Sequence, residues 1–139
     1  MEKWHTKELA TYAVETRFED YPQEVIDKVK IFILDGIGCM FGGSQTNLGK
    51  AIITPIKSMG GSEEATIVGA GIKVPTIQAA FVNGTTANAL DYDDTLLGIG
   101  HPGASIIPAA LAMGEWIQAS GKDVINAILI GYDLGDRIG

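Results

Sequence analysis

Residues 83–113 read NGTTANALDYDDTLLGIGHPGASIIPAALAM, and this stretch decides the fold class and where chemistry is to be sought. Both ends are rich in alanine and other small residues, and the middle is a polar turn holding Asp91, Asp93, Asp94, Thr95 and His101. Small residues let helices approach closely. Two such helices meeting at a cluster of titratable side chains make a cleft, where unlike ionisable groups can be tuned for acid–base work.

Working outward, Pro75 suits the start of the incoming helix, with Ala79, Ala80, Val82, Asn83, Ala87 and Leu90 available to one face. The outgoing helix is expected from near Ser105 to about Ala119, with Pro108 tolerated in its first turn. Upstream, EATIVGAGIKV at 64–74 is β-branched, roughly alternating and carries glycines at its centre, which predicts a short strand or hairpin. A helix at 46–59 contains Pro55, so a kink or an early stop is expected.

Pro22 opens an earlier helix carrying Val25, Ile26, Val29, Ile31, Phe32, Ile33, Leu34 and Ile37, with Gly42 and Gly43 as its end. Its second half is apolar nearly all round apart from Asp35, which predicts burial on several sides. Thr6 suits the N-cap of a first helix whose stripe is Leu9, Ala10, Ala13 and Val14. Downstream, Ser120-Gly121 breaks the chain, and Asp123 begins a sixth helix with Ile125, Ile128, Leu129 and Tyr132 on a stripe. The predicted class is mainly α: about six helices and one short β element near 64–74. The apolar faces of the second, fourth and fifth helices exceed what six short helices need, so a longer chain or self-association is expected.

Composition bounds the function. The chain has 139 residues, 46% of them apolar, which is enough for a core and argues against disorder. No apolar run reaches membrane-spanning length. The charged, amphipathic N-terminus does not read as a signal peptide. A net charge of −7 argues against a nucleic-acid partner, which needs a basic stripe. The single cysteine, Cys39, excludes an internal disulfide framework, fits a reducing cytoplasm, and reads as small core filler rather than a nucleophile.

In the acidic loop, Asp91 and His101 are the candidate catalytic pair, since a histidine beside a carboxylate holds a defined tautomer and moves protons near neutral pH. Thr95 is a candidate to hold a substrate oxygen. The helix beyond His101 aims free N–H groups and a positive dipole end at the loop, which favours a bound carboxylate or a developing negative charge. The plainer alternative makes Asp93 and Asp94 ordinary helix-end and loop residues and His101 a helix-start residue. A divalent cation on Asp91, Asp93 and Asp94 ranks third, because the D-x-D-D spacing lacks the ligand ladder and central glycine of an EF-hand loop. His5 reads as solvated. Asn83 and Asn88 either line the cleft or satisfy backbone.

The run AAFVNGTTANALDYDDT followed by HPG resembles the signature of the MmgE/PrpD family, which includes 2-methylcitrate dehydratase, cis-aconitate decarboxylase and iminodisuccinate epimerase. VKIFILDGIGCMFGG, ATIVGAGIKVP and SGKDVINAILIGYDLGDRIG resemble further segments of that family, so the likeness extends over essentially the whole chain. The resemblance implies active-site positions at Asp91 and His101 (acid–base) and at Thr95 (substrate contact). Asn88, where many members carry histidine, becomes a second substrate-binding candidate. It also implies small di- or tricarboxylate substrates and no metal or organic cofactor; the single cysteine and the surplus apolar faces set the further expectation of a cytoplasmic homo-oligomer, dimer or higher. Members are much longer, so residues 1–139 are expected to be a partial helical domain, the N-terminal segment of a larger architecture. Further site groups are expected beyond residue 139, leaving this chain little activity alone. The competing expectation is a non-catalytic helical module that binds itself or a partner through apolar helix faces.

Overall fold

The computed structural model describes residues 5–98 and 100–138. Six α-helices and one two-stranded sheet follow in the order α1 (His5–Glu15), a 3-10 turn (Phe18–Asp20), α2 (Gln23–Ser44), α3 (Asn47–Met59), β1 (Ala65–Ile67), β2 (Ile72–Val74), α4 (Thr76–Ala87), α5 (Gly103–Trp116) and α6 (Gly121–Ile138). The mainly α class and the β element at 64–74 agree with the sequence. Among the described residues no helix is long and apolar enough to cross a membrane.

The centre is the α4–α5 pair, with α2 and α6 against it and the hairpin capping one end. One core cluster, Ile56, Ala65, Ile67, Val74, Ala79, Val82 and Ala112, joins α3, the hairpin, α4 and α5. A second, Val29, Met40, Ala87, Ile107 and Ile128, joins α2, α4, α5 and α6. The strands pair antiparallel with Thr66 opposite Lys73, so Ala65 and Ile67 turn inward together.

Several boundaries differ from the sequence reading, each for a physical reason. Thr6 lies inside α1, and none of the α1 stripe is fully buried. α2 passes through Gly42 and Gly43 to Ser44. Gly43 is there for close approach, not as a stop: any Cβ on it would run into the Thr86 carbonyl of α4. Thr46 caps α3, accepting from the Gly49 N–H, and the helix runs to Met59 through Pro55 without an early stop. α5 begins at Gly103 rather than Ser105 and ends at Trp116 rather than near Ala119, with Gln118 in the left-handed region at φ 55°.

The largest correction concerns α2. Its Ile26, Val29, Gly36 and Met40 are buried, but Ile31, Leu34 and Phe41 are 59%, 71% and 58% exposed. The all-round apolar pattern is real, yet among the described residues α2 has neighbours on one side only.

Candidate active site

Three short-range devices bring the sequence's candidate residues together. α4 stops at Ala87 with Asn88 as its C-cap, and the Asp91 N–H returns to the Asn88 carbonyl at 3.1 Å. That turn needs Asp91 in the left-handed region, φ 55°, which aspartate tolerates better than most side chains. Leu96 and Gly100 then exchange two backbone hydrogen bonds of 2.8 and 3.0 Å, pinching the loop so that His101 comes back beside the acidic run.

His101 stands between two carboxylates. Its Nε2 is 3.4 Å from Asp91 Oδ1 and its Nδ1 is 3.4 Å from Asp93 Oδ2. The two acids differ sharply, the Asp91 side chain being 82% exposed and that of Asp93 only 3%. Asp93 is fixed from behind by the Asn88 amide, which donates to Oδ1 at 3.1 Å and to Oδ2 at 3.4 Å. His101 Nδ1 is shut off from water and has no hydrogen bond, so its contact with Asp93 has ion-pair distance without hydrogen-bond alignment.

Asp94 does something else. It accepts from the Gly103 N–H at 2.9 Å and from the Tyr132 hydroxyl at 2.7 Å, tying the loop to the starts of α5 and to α6. A Cβ at Gly103 would collide with that carboxylate and with the Tyr132 hydroxyl, so a larger residue there would have to displace the pair. Burial, reinforced by the Asp94 hydrogen bond, pushes the Tyr132 phenol well above its ordinary range, leaving it a neutral donor. The anion at the start of α5 is therefore the protein's own Asp94, and one of the free amides expected to meet a ligand is already taken.

The other candidates fall as follows. His101 and Asn88 line an open groove of about 560 Å³ between α4 and α5, together with Leu48, Phe81, Thr85 and Ser105. Thr95 is exposed and, like Asp91, does not line that groove. Asn83 is a backbone clamp, accepting from the Val68 N–H and donating to the Thr66 carbonyl, both at 2.9 Å. Asp91, Asp93 and Asp94 do not gather around one point, because Asp94 is turned to Gly103 and Tyr132. Among the described residues the converging set is Asp91, Asp93 and His101, whose nearest ligand-type atoms lie within 4.8 Å of one another. Asp91 and Asp93 address different ring nitrogens, which suits holding and protonating an imidazole. Cys39 is half-buried. Its thiol is raised first by burial and then by Asp35, Asp93 and Asp94, so it stays protonated and unreactive.

Sequence reasoning passed over Asp93 as an ordinary loop residue. Nothing local distinguishes it from Asp94; only the return of the chain at Leu96 and Gly100 selects it as the partner of Nδ1.

Comparison with known proteins adds relatives. The chain is 29% identical over 140 residues to a cis-aconitate decarboxylase of Aspergillus terreus, covering 96% of this chain and 29% of that protein. It is 29% identical over 138 residues to the human cis-aconitate decarboxylase, with the same coverage. A cis-aconitate decarboxylase-like protein of Aspergillus oryzae is 26% identical over 142 residues, covering 96% of this chain and 30% of that protein. The chain thus spans about 29% of the length of the first two. The MmgE/PrpD N-terminal domain matches residues 7–139, and the chain belongs to the MmgE/PrpD family.

Proposed function

We propose that this chain carries the Asp91/His101 part of an active site for a lyase or isomerase of small di- or tricarboxylates, of the 2-methylcitrate dehydratase or cis-aconitate decarboxylase kind. The observation that carries the reading is the imidazole of His101, held between two carboxylates at the edge of an open groove. Such a group takes up or delivers a proton at the carbon next to a carboxylate, the step shared by dehydration, decarboxylation and epimerisation. Asp91 assists that transfer, Asn88 contacts the substrate within the groove, and Thr95 contacts it from the exposed loop outside the groove lining. No cofactor enters the proposal.

The same geometry argues that the chain is inactive alone. A di- or trianion must approach Asp91, Asp93 and Asp94, yet among the described residues no Lys or Arg lines the groove. Cations that clamp the substrate have to come from elsewhere, and groups that act as a unit fail together. The test is an assay of the purified 139-residue chain with 2-methylcitrate and with cis-aconitate. No turnover is expected, and robust activity from this chain alone overturns the missing-cation argument. The setting proposed is a cytoplasmic homo-oligomer.

A second reading rests on Ile31, Leu34 and Phe41, 59%, 71% and 58% exposed on α2. An apolar face of this kind suits a non-catalytic helical module that associates with itself or a partner. A monodisperse monomer on size-exclusion chromatography would remove the self-association half of that reading.

A further inference from the structure

We infer that Asp93, not Asp91, sets the tautomer of His101, and that Asp93 is in turn aimed by Asn88: a positioning relay Asn88–Asp93–His101 that leaves Nε2 as the working nitrogen. The inference rests on the proposed role of His101 but concerns a property of the ring that is measurable without turnover.

The two nitrogens of an imidazole are made unlike by what each faces. His101 Nδ1 is closed to water and has the Asp93 carboxylate 3.4 Å away. The Asp93 side chain is 3% exposed, so it has little solvent to compensate its charge. A buried carboxylate beside a buried ring nitrogen favours a proton on that nitrogen. The neutral ring is then the Nδ1–H form, with its lone pair on Nε2. That atom faces the solvent side: Asp91, its neighbour at 3.4 Å, is 82% exposed. The present Nδ1–Asp93 contact is long, as such contacts often are before a ligand is bound, and tightens when the groove is filled.

Asn88 supplies the direction. Its amide donates to Asp93 Oδ1 at 3.1 Å and, at a longer 3.4 Å, to Oδ2, so the shorter bond holds Oδ1 to Asn88 and turns Oδ2 to the ring. This arrangement makes the Asp93→Asn variant informative. Facing the Asn88 donor, the new amide must present its oxygen to Asn88 and its NH2 to His101. Nδ1 then becomes an acceptor, and the ring switches to the Nε2–H form. Exchanging a carboxylate for an amide behind a working histidine costs ~10⁴-fold in kcat in the serine proteases, through the same change of tautomer.

The chain contains two histidines, His5 and His101, so imidazole ¹⁵N resonances are assignable with His101→Gln. Long-range ¹H–¹⁵N spectra above the pH of histidine titration are expected to show His101 as Nδ1–H in the wild type and as Nε2–H in Asp93→Asn, with His5 unchanged. Asn88→Ala, which keeps the carboxylate but frees its orientation, is expected to give a mixture. A wild-type His101 in the Nε2–H form overturns the relay, as does an Asp93→Asn ring that stays Nδ1–H. Should Asp93→Asn fail to fold, the wild-type and Asn88→Ala spectra decide alone. Because no substrate is present, the spectra test the relay alone, whatever turnover assays of the chain return.

Discussion

Two polar clusters meet the α4–α5 pair, one where the hairpin packs on it and one at the loop joining the helices, and they are built to different standards. At the hairpin end, Glu115 of α5 accepts from the Thr66 N–H at 2.7 Å and the Thr66 hydroxyl at 2.8 Å, with Lys73 Nζ 2.8 Å from the same carboxylate. Asn83 of α4 takes the neighbouring backbone groups of β1 and its turn at 2.9 Å. At the loop His101 has carboxylates on both sides at 3.4 Å, and its Nδ1 has no hydrogen bond. Short, saturated contacts between groups distant in sequence hold a fold together. Loose contacts between an imidazole and carboxylates at a groove are unspent interaction, available to a ligand. The contrast separates polar residues that stabilise from polar residues that act.

The comparison is broken most forcefully at Asn83. Asn83→Ala strands the Val68 N–H and the Thr66 carbonyl beside a residue that is 3% exposed. Leaving buried groups without partners costs about 3 kcal/mol in total, equivalent to a fall on the order of 10 °C in Tm. Thermal denaturation followed by circular dichroism checks this; a fall of a degree or two would mean that the hairpin end is no tighter than the loop.

Acid gives the next effect. Burial alone would raise the Glu115 carboxyl, but Lys73 and both Thr66 donors together hold it below the usual carboxylate range. A carboxylate with a depressed folded-state pKa adds stability above its unfolded-state pKa, and that stability is lost as pH falls through the depressed value. The part contributed by Glu115 is on the order of 1 kcal/mol, since the group is partly solvated. Urea titrations at neutral pH and at pH below the usual carboxylate range are expected to show wild type and Glu115→Gln converging in acid. A gap that is unchanged by pH removes the charge from the explanation.

The first end was legible only in part from sequence. TIV and IKV flanking GAG announced the hairpin, and Pro22 and Pro75 marked helix starts. Which polar residues hold the hairpin down was not legible, because Glu115 lies 49 residues from Thr66. The same limit misplaced the start of α5: its first amide is capped by Asp94 from nine residues upstream, where local capping rules look only next door. Gly43 carried the opposite lesson. Paired glycines signal a helix end when read locally, but here the missing Cβ admits the Thr86 backbone. At the loop the pairing of Asp91 with His101 was proposed from residue type and resemblance, and the structure puts the two side chains 3.4 Å apart. Asp93 was hidden because its burial, unlike its identity, is a property of the closed loop.

The smallest expected change in stability is at Asp91, and its smallness is the point. Asp91 sits at φ 55° with its side chain 82% exposed, and its partner His101 is at ion-pair distance. Asp91→Gly removes a modest strain, because glycine enters the left-handed region without cost. The same change adds conformational freedom to the unfolded chain, which opposes that gain. An exposed ion pair with histidine contributes little, so its loss tips neither way. The sum lies within about 0.5 kcal/mol of zero, against a common cost near 1 kcal/mol for a substitution elsewhere. Urea denaturation of Asp91→Gly beside Asn83→Ala measures the difference directly. If Asp91→Gly instead destabilises as Asn83→Ala does, Asp91 belongs to the scaffold, and the loop's acids are to be read as structure. If it is neutral, a charged residue is being kept in a backbone conformation that glycine would fill at least as well, and the proton-transfer role proposed for it accounts for that choice.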